Sequence, residues 1–280
     1  MRKKTQSWQC NLKFHAQSFS RLVSVLVLTL TLAGALRAQN VAPNGSYGFL
    51  LNATSISPAG QGATAILGVM DFDGVGNVSG SFTQELWGGP MPVQTITGTL
   101  SGTYSSNPDG TGSISVINPN TGDSFTFAMV ITEGGHGLYL VATSCSCGDF
   151  LTNAVLSGVG RHKRRQTFQS VAALQGFYGG QDTLSPQPSR AIDVWSFDGV
   201  GKVTHSGTFV GAGPTAVSGS FVGTYTVNRD ETGTITFAAI PGVQGAQTFV
   251  FVITDGGSGL LFMQTNRSGD GVLYGSARLQ

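Results

Sequence analysis

Apolar and polar side chains alternate with a period of two along most of the chain after residue 40. From Phe125 to Ile131 every second residue is large and apolar, and the same holds from Phe249 to Ile253. This period is typical of β-strands. Turn pairs such as Asp73–Gly74 separate the strand patterns at short intervals, and helix-period stretches are absent. The pattern therefore predicts an all-β fold.

The strand patterns occur twice. Three motifs recur in the same order: Phe72–Gly76 as Phe197–Gly201, Gly102–Tyr104 as Gly223–Tyr225, and Ile131–Gly135 as Ile253–Gly257. The offset of 121 to 125 residues is long enough for each copy to enclose its own core, which indicates duplicated whole domains. We predict β-domains at residues 39–160 and 174–280, joined by a basic linker at 161–173.

About eight strands in meander order are predicted for each copy. In the first copy the patterns lie at 47–53, 63–72, 76–86, 93–105, 112–117, 124–132, 137–143 and 154–161. Eight antiparallel strands can close into a small barrel or form a two-sheet sandwich. We favour the barrel, because glycines such as Gly80 and Gly102 inside strand patterns bend the sheet. A single sixteen-stranded outer-membrane barrel is a third hypothesis, against which the few tryptophans and tyrosines argue.

The opening of each copy carries a family resemblance. Gly45–Tyr47 and Gly176–Tyr178 resemble the Gly-x-Trp opening of lipocalins and related calycin barrels, with tyrosine in place of tryptophan. In that group a basic residue on the last strand commonly covers the first-strand aromatic, and Arg161 and Arg278 close the last strands here. The resemblance implies a small apolar ligand inside the barrel. An interior filled by side chains is the alternative.

The N-terminal segment has the composition of an export signal. Five basic residues precede the apolar run Leu22–Leu36, and no acidic residue occurs before Asp71. The run is shorter than the roughly 20 residues that a membrane-spanning helix needs. We predict a signal peptide at residues 1–38, cleaved after Ala38 or Ala35, and a secreted or periplasmic mature protein; an uncleaved anchor is the alternative.

Charge is unevenly distributed along the mature chain. Without residues 1–38 it holds 9 basic and 14 acidic side chains, a net charge of −5. This balance argues against a nucleic-acid partner, which needs a basic surface. Arg161, Lys163, Arg164 and Arg165 form one short cluster, which we interpret as a solvated connector in preference to an anion-binding patch.

Neither a metal site nor a cofactor is predicted. Cys145 and Cys147 can oxidise with each other, bridge to another chain or stay reduced, and two cysteines alone do not make a structural zinc site. Asp71–Gly74 superficially resembles a calcium loop, but Val75 stands where an oxygen ligand is needed. We predict a plain hairpin turn there.

Catalytic motifs are sparse. His136, His162 and His205 have no counterparts in the other copy, and no G-x-S-x-G elbow, H-E-x-x-H motif or P-loop is present. A triad assembled in space is not recognisable from sequence order. We expect a protein without enzymatic activity.

Aromatic residues offer the better candidates for contacts. Trp87 is predicted in a loop, where it could stack on a sugar or a partner, and Trp195 is predicted to pack in the core. A binding-module hypothesis predicts a cavity lined by residues such as Phe127, Met129, Phe249 and Phe251. We predict binding of a small apolar ligand or of an envelope or extracellular partner. A purely structural or adhesive repeat protein with packed interiors is the alternative.

Overall fold

The computed structural model describes residues 42–57, 60–88, 92–146, 154–163, 170–187, 189–210, 216–238, 245–265 and 271–280. The predicted signal peptide lies outside these residues. Among them, no helix is long and apolar enough to cross a membrane.

Two sets of strands follow one another along the chain. The first set is β1 (Asn44–Ser57), β2 (Gly60–Asp73), β3 (Asn77–Gly88), β4 (Gln94–Ser106), β5 (Thr111–Ile117), β6 (Ser124–Thr132), β7 (Gly137–Ser146) and β8 (Ser157–His162). The second set is β9 (Gln175–Ser185), β10 (Ser189–Asp198), β11 (Lys202–Val210), β12 (Ala216–Val227), β13 (Thr232–Phe237), β14 (Gln247–Thr254), β15 (Gly259–Thr265) and β16 (Val272–Leu279). Short 3₁₀ turns lie at Glu133–Gly135, Val171–Ala173 and Asp255–Gly257.

Each set closes into an antiparallel barrel of eight strands. In the first barrel β8 returns to pair with β1, and in the second β16 pairs with β9. The predicted all-β fold and the barrel are therefore confirmed, and the sandwich is excluded. Arg161 and His162 belong to β8 rather than to a connector, because Arg161 pairs with Gly48 of β1.

The inward-facing residues of each barrel form its own apolar core. In β1 the alternation places Tyr47, Phe49 and Leu51 inside, and all three are buried. The core of the second barrel contains Tyr178, Trp195 and several phenylalanines. Alternation between the inside and the outside of the barrel is what the period of two in the sequence reflects.

A third apolar cluster joins the outer faces of the two barrels, and we call it the interbarrel cluster. Its buried members are Leu50, Ala63, Ala65, Leu67, Val69 and Trp87 of the first barrel, and Val252, Leu261, Met263 and Val272 of the second. The barrels touch closely there: a Cβ atom on Gly48 would lie 2.7 Å from Val252 Cγ1. Strands β2 and β15 are consequently buried on both faces over most of their described length.

Trp87 is a member of this cluster, and the prediction of a loop tryptophan is wrong. It lies in β3 and is only 8% exposed. Its outward direction on the barrel is the same as that of Ala63, its partner on β2. The second barrel covers that face, so Trp87 is not available for stacking on a ligand.

Two members of the basic cluster, Arg161 and Lys163, are not part of a solvated connector. Lys163 is 6% exposed, its Nζ donates a hydrogen bond to the carbonyl oxygen of Asp230, and it lies 3.7 Å from Glu231 Oε2 in the second barrel. Arg161 forms an ion pair with Glu133 at 2.5 Å. Arg164 and Arg165 lie outside the described residues. Lys163 therefore helps to hold the two barrels together.

The tyrosine on the first strand makes the same hydrogen bond in each barrel. The Tyr47 hydroxyl donates to the carbonyl oxygen of Gly135, and the Tyr178 hydroxyl donates to that of Gly257 at 2.5 Å. Both acceptors lie in the 3₁₀ turn before the seventh strand of their barrel. Arg278, like Arg161, is paired with an acid of this turn. The ring that contacts Tyr47 edge-on from β8 is that of His162, at 5.1 Å.

Asp73 organises the predicted hairpin turn. Its Oδ1 accepts hydrogen bonds from the backbone N–H groups of Val75, Gly76 and Asn77, each at 2.9 Å. These bonds, that of Val75 first, lower the pKa of Asp73 to about 2. Asp198 repeats the arrangement in the second barrel. Cys145, near the end of β7, is disulfide-bonded.

Glu85 is a buried acid on the outer face of β3. It lies two residues before Trp87 and is 1% exposed. Its Oε1 accepts a hydrogen bond from Thr95 Oγ1 at 2.5 Å, whereas Oε2 has no partner among the described residues. Burial raises the pKa of this carboxyl from 4.5 to about 7, and the bond from Thr95 opposes the shift.

Replacing Glu85 by glutamine is expected to stabilise the protein at pH 8 by about 2 kcal/mol and to have no effect at pH 4. The pKa is higher in the folded protein, so the ionised carboxylate opposes folding above pH 4.5, and the penalty grows until about pH 7. Urea denaturation of both proteins across this range measures the difference. Glu133→Gln is the control, because Arg161 lowers the pKa of Glu133 and its neutralisation should not stabilise. A pH-independent effect of Glu85→Gln would contradict the assignment.

Candidate functional site

Polar side chains point into the second barrel near one of its ends. We call them the lumen cluster: Asp182 on β9, Asp193 on β10, His205 on β11, Gln247 on β14 and Gln264 on β15. All except His205 are buried. Because the strands form a meander, the hairpins that join β9 to β10 and β13 to β14 lie at the same end, and the cluster is close to that end.

Asp193 and His205 form the centre of the lumen cluster. The distance from His205 Nε2 to Asp193 Oδ2 is 3.2 Å, and the side chains of Asp193 and His205 are 0% and 17% exposed. Burial raises the pKa of Asp182 from 3.8 to about 6, and the charge of Asp193 adds to the shift while His205 opposes it. Two buried carboxyl groups therefore lie within electrostatic range of each other and share one histidine.

Three buried polar atoms of this lumen make no hydrogen bond within the described residues: Asp182 Oδ1, Asp193 Oδ1 and Trp195 Nε1. Only two other buried atoms in the described ranges, on Glu85 and His136, share this condition. An unpaired buried polar atom costs about 1–3 kcal/mol, so native structures contain few of them. By contrast, Gln264 Nε2 donates to Gln247 Oε1. The unsatisfied atoms are therefore concentrated around the two aspartates.

Aromatic rings surround Trp195 beside the cluster. Its ring centroid lies 4.3 Å from that of His205, 5.1 Å from Phe262, 5.6 Å from Phe249 and 6.1 Å from Phe237. Aromatic faces carry negative electrostatic potential. The lumen thus combines carboxylate oxygens with ring surfaces.

The first barrel has no such polar group at the corresponding positions. Tyr47 pairs with Met70 as Tyr178 pairs with Trp195, which aligns the two barrels strand by strand. In this alignment the first-barrel residues are Leu51 for Asp182, Gly68 for Asp193, Met70 for Trp195, Gly80 for His205, Phe125 for Gln247 and Ala142 for Gln264. The first lumen is therefore apolar where the second is acidic.

One cross-strand pair shows how an apolar group in the first barrel is replaced by an acidic group in the second. In the first barrel the ring of Phe49 lies over Gly68, where a Cβ atom would be 2.8 Å from the ring. In the second barrel Gly180 takes the place of Phe49, and a Cβ atom there would be 2.2 Å from Asp193 Oδ1. A carboxylate thus occupies space that a phenyl ring fills in the other copy.

The structure distributes the six candidate residues of the sequence analysis over three places. Phe127 and Met129 are in the first core, Phe249 and Phe251 are in the second, and Trp87 is in the interbarrel cluster. Trp195, together with Phe249, adjoins the lumen cluster. Sequence reasoning missed the two aspartates and two glutamines, although Asp193 stands between Ala191 and Trp195 in the apolar phase of β10. A polar residue in that phase is the signal that identifies them.

Two open clefts of about 550 and 540 Å³ lie on the outside of the barrels. The second runs between them, with Phe82 and Thr97 from the first barrel and Asn228 and Thr234 from the second among its lining residues. In the described ranges, no group of three or more histidine, cysteine or acidic side chains could hold a metal ion, the lumen cluster included. The lumen cluster is thus the strongest candidate for a functional site.

Comparisons with known proteins give little. No family model matches the chain, and no curated protein matches it. Among solved structures, it is similar to isotype 1 transferrin binding protein B from serogroup B Neisseria meningitidis, with 7% identity, a TM-score of 0.28, and coverage of 85% of this chain and 77% of that one. The intact Ap-TbpB with its N and C lobes gives 7% identity, a TM-score of 0.26, and coverage of 84% and 77%. Neither similarity is close enough to bear on function.

Proposed function

We propose that the mature chain is an exported, non-enzymatic binding protein that holds a small ligand in the lumen of its second barrel. The observation that carries this proposal is the group of unpaired buried atoms on Asp182, Asp193 and Trp195. A ligand in the lumen would supply their missing partners. The first barrel, whose corresponding positions are apolar, serves as a filled structural domain.

Binding inside the barrel is also what the resemblance to calycin barrels implies. The predicted apolar ligand now needs a polar group as well, because carboxylates and aromatic rings share the second lumen. Export rests on the basic and apolar pattern of residues 1–38. A non-enzymatic role is favoured by the surroundings of His205: its described hydrogen-bond and ring contacts, with Asp193, Trp195, Phe221 and Phe237, include no hydroxyl or thiol group that the histidine could activate.

Native mass spectrometry of the mature protein from its own host, compared with the denatured sample, tests the proposal. We expect a small-molecule mass that is lost on denaturation. The double variant Gly180→Phe/Asp193→Gly gives the second lumen the ring and glycine of the first, and it should lack this mass. Met129→Leu, a volume-conserving change in the first core, is the control and should retain it.

The other outcomes have distinct meanings. A parent protein without any bound mass would favour a structural or adhesive role in the cell envelope. A mass that persists in the double variant would place the ligand elsewhere in the chain. Circular dichroism of both variants establishes that their barrels are folded.

A further inference from the structure

We propose that the ligand of the second barrel is a small organic cation, whose ammonium or guanidinium group binds between Asp182 and Asp193 and against the ring of Trp195. This assignment rests on the proposed function and adds the chemical class of the ligand.

The unpaired oxygens require a hydrogen-bond donor. An ionised carboxylate only accepts hydrogen bonds, and Asp193 Oδ2 is already engaged by His205. The remaining Oδ1 atoms of Asp182 and Asp193 are both buried and free of partners within the described residues. A ligand with several N–H groups on one centre can donate to both, and charged donors make the stronger bonds with carboxylates.

Charge balance points the same way. Asp182 and Asp193 repel each other, as the effect of Asp193 on Asp182 shows. The described basic side chain inside this lumen is that of His205, which is engaged with Asp193 Oδ2. Arg190 is exposed on the outer face of β10, where it hydrogen-bonds to Thr183. A cation between the carboxylates would replace repulsion by two attractive interactions in a buried site, where charges interact more strongly than in water.

Glycines flank the central carboxylate on both neighbouring strands. Asp193 pairs with Gly180 on β9 and with Gly207 on β11, so neither cross-strand neighbour has a side chain. A Cβ atom on Gly207 would lie 3.1 Å from Asp193 Cβ. Side chains at these two positions would compete with Asp193, and with any ligand on it, for the same part of the lumen.

The ring of Trp195 provides the second half of the site. Tryptophan is the side chain that binds cations most strongly through its ring face. Its unpaired Nε1–H also calls for an acceptor, such as a hydroxyl or carbonyl oxygen on the same ligand. Met70 stands at this position in the first barrel, and neither carboxylate has a counterpart there. The cation site is therefore assigned to the second barrel alone.

Isothermal titration of the full mature chain with benzylamine and with benzyl alcohol tests the assignment. The two probes share shape, and only the amine is charged at pH 8. We expect benzylamine to bind at least about tenfold more tightly than the alcohol, as a charge-assisted hydrogen bond predicts. Asp182→Asn and Asp193→Asn should each weaken the binding of benzylamine at least about tenfold and leave the affinity for benzyl alcohol unchanged. Asp198→Asn, which removes the same charge from an exposed turn of the same barrel, should change neither.

A second measurement separates ligand binding from a structural role. Because burial raises the pKa of Asp182, Asp182→Asn should increase the thermal midpoint of the ligand-free protein at pH 8 while it weakens the amine. Equal affinity for amine and alcohol, or no amine binding by the parent at millimolar concentration, overturns the cation assignment. Unaltered amine affinity in both asparagine variants overturns it as well. A neutral bound mass in native mass spectrometry would leave the proposed function standing and remove only the cation.

Discussion

Valine in place of Gly102 is expected to destabilise the first barrel by at least about 3 kcal/mol, and valine in place of Gly223 to do the same to the second. Gly102 on β4 pairs with Val78 and Val116, and a Cβ atom there would lie 1.9 Å from the carbonyl oxygen of Ser115. At Gly223 the corresponding distance, to the carbonyl oxygen of Thr236, is 2.5 Å. Both obstacles are backbone atoms, which cannot rotate away, so the strand must move.

Urea denaturation followed by circular dichroism measures the loss. Thr103→Val and Thr224→Val are the matched controls, since each adds valine at an exposed neighbouring position of the same strand. They should remain within about 0.5 kcal/mol of the parent. If the urea midpoint of Gly102→Val equals that of the parent protein, the close approach of β4 to β5 does not constrain the fold.

Methionine in place of Lys163 is expected to cost about 3 kcal/mol. The side chains of Lys163 and Glu231 are only 7% and 9% exposed, and they form an ion pair between the two barrels. Burial raises the pKa of Glu231, and Lys163 opposes that shift. Without the amine, the fold must bury an uncompensated charge or protonate it, and either is unfavourable.

A double-mutant cycle with Glu231→Gln isolates the pair. The double variant Lys163→Met/Glu231→Gln should recover a large part of the loss, because no unpaired charge remains. Lys202→Met, which removes an exposed lysine of the second barrel, should have little effect. Additive effects of the two single changes would show that the ion pair does not couple the barrels.

The strands could be predicted from the sequence because each barrel wall has one face inside and one outside. This produces the period of two, and the repeated Asp–Gly turns show where the meander reverses. Closure of each sheet into a barrel could be predicted from glycines inside the strand patterns, such as Gly102, because they allow the sheet to bend. Burial on the outer faces of the barrels is harder to predict, because alternation within one strand does not show which outward residues another barrel covers.

Trp87 and Lys163 illustrate that limit. Trp87 stands beside a Gly-Gly-Pro segment and Lys163 stands among other basic residues, so local sequence favoured exposure for both. Contacts with the second barrel bury them instead. One signal did exist: in β2 the run from Ala65 to Met70 contains no polar side chain in either phase, as two-sided burial requires.

The candidate site has a comparable explanation. Asp182 and Asp193 interrupt the apolar phase of their strands, and a comparison of the two copies exposes them as departures from Leu51 and Gly68. Which departures face one another depends on strand register, and a strand pattern alone does not define register. Their unpaired atoms are visible only in three dimensions.

The interbarrel cluster has a consequence for symmetry. The first barrel contributes β1, β2 and β3, whereas the second contributes β14, β15 and β16, so the two copies meet through different faces. Val130, Tyr139 and Val141, which correspond to Val252, Leu261 and Met263, are exposed on the first barrel. Such a contact is heterologous and has no two-fold axis, and identical domains that associated in this way would form rings or open chains instead of two-fold dimers. In this protein the two barrels belong to one chain, so the contact forms once, between the first barrel and the second.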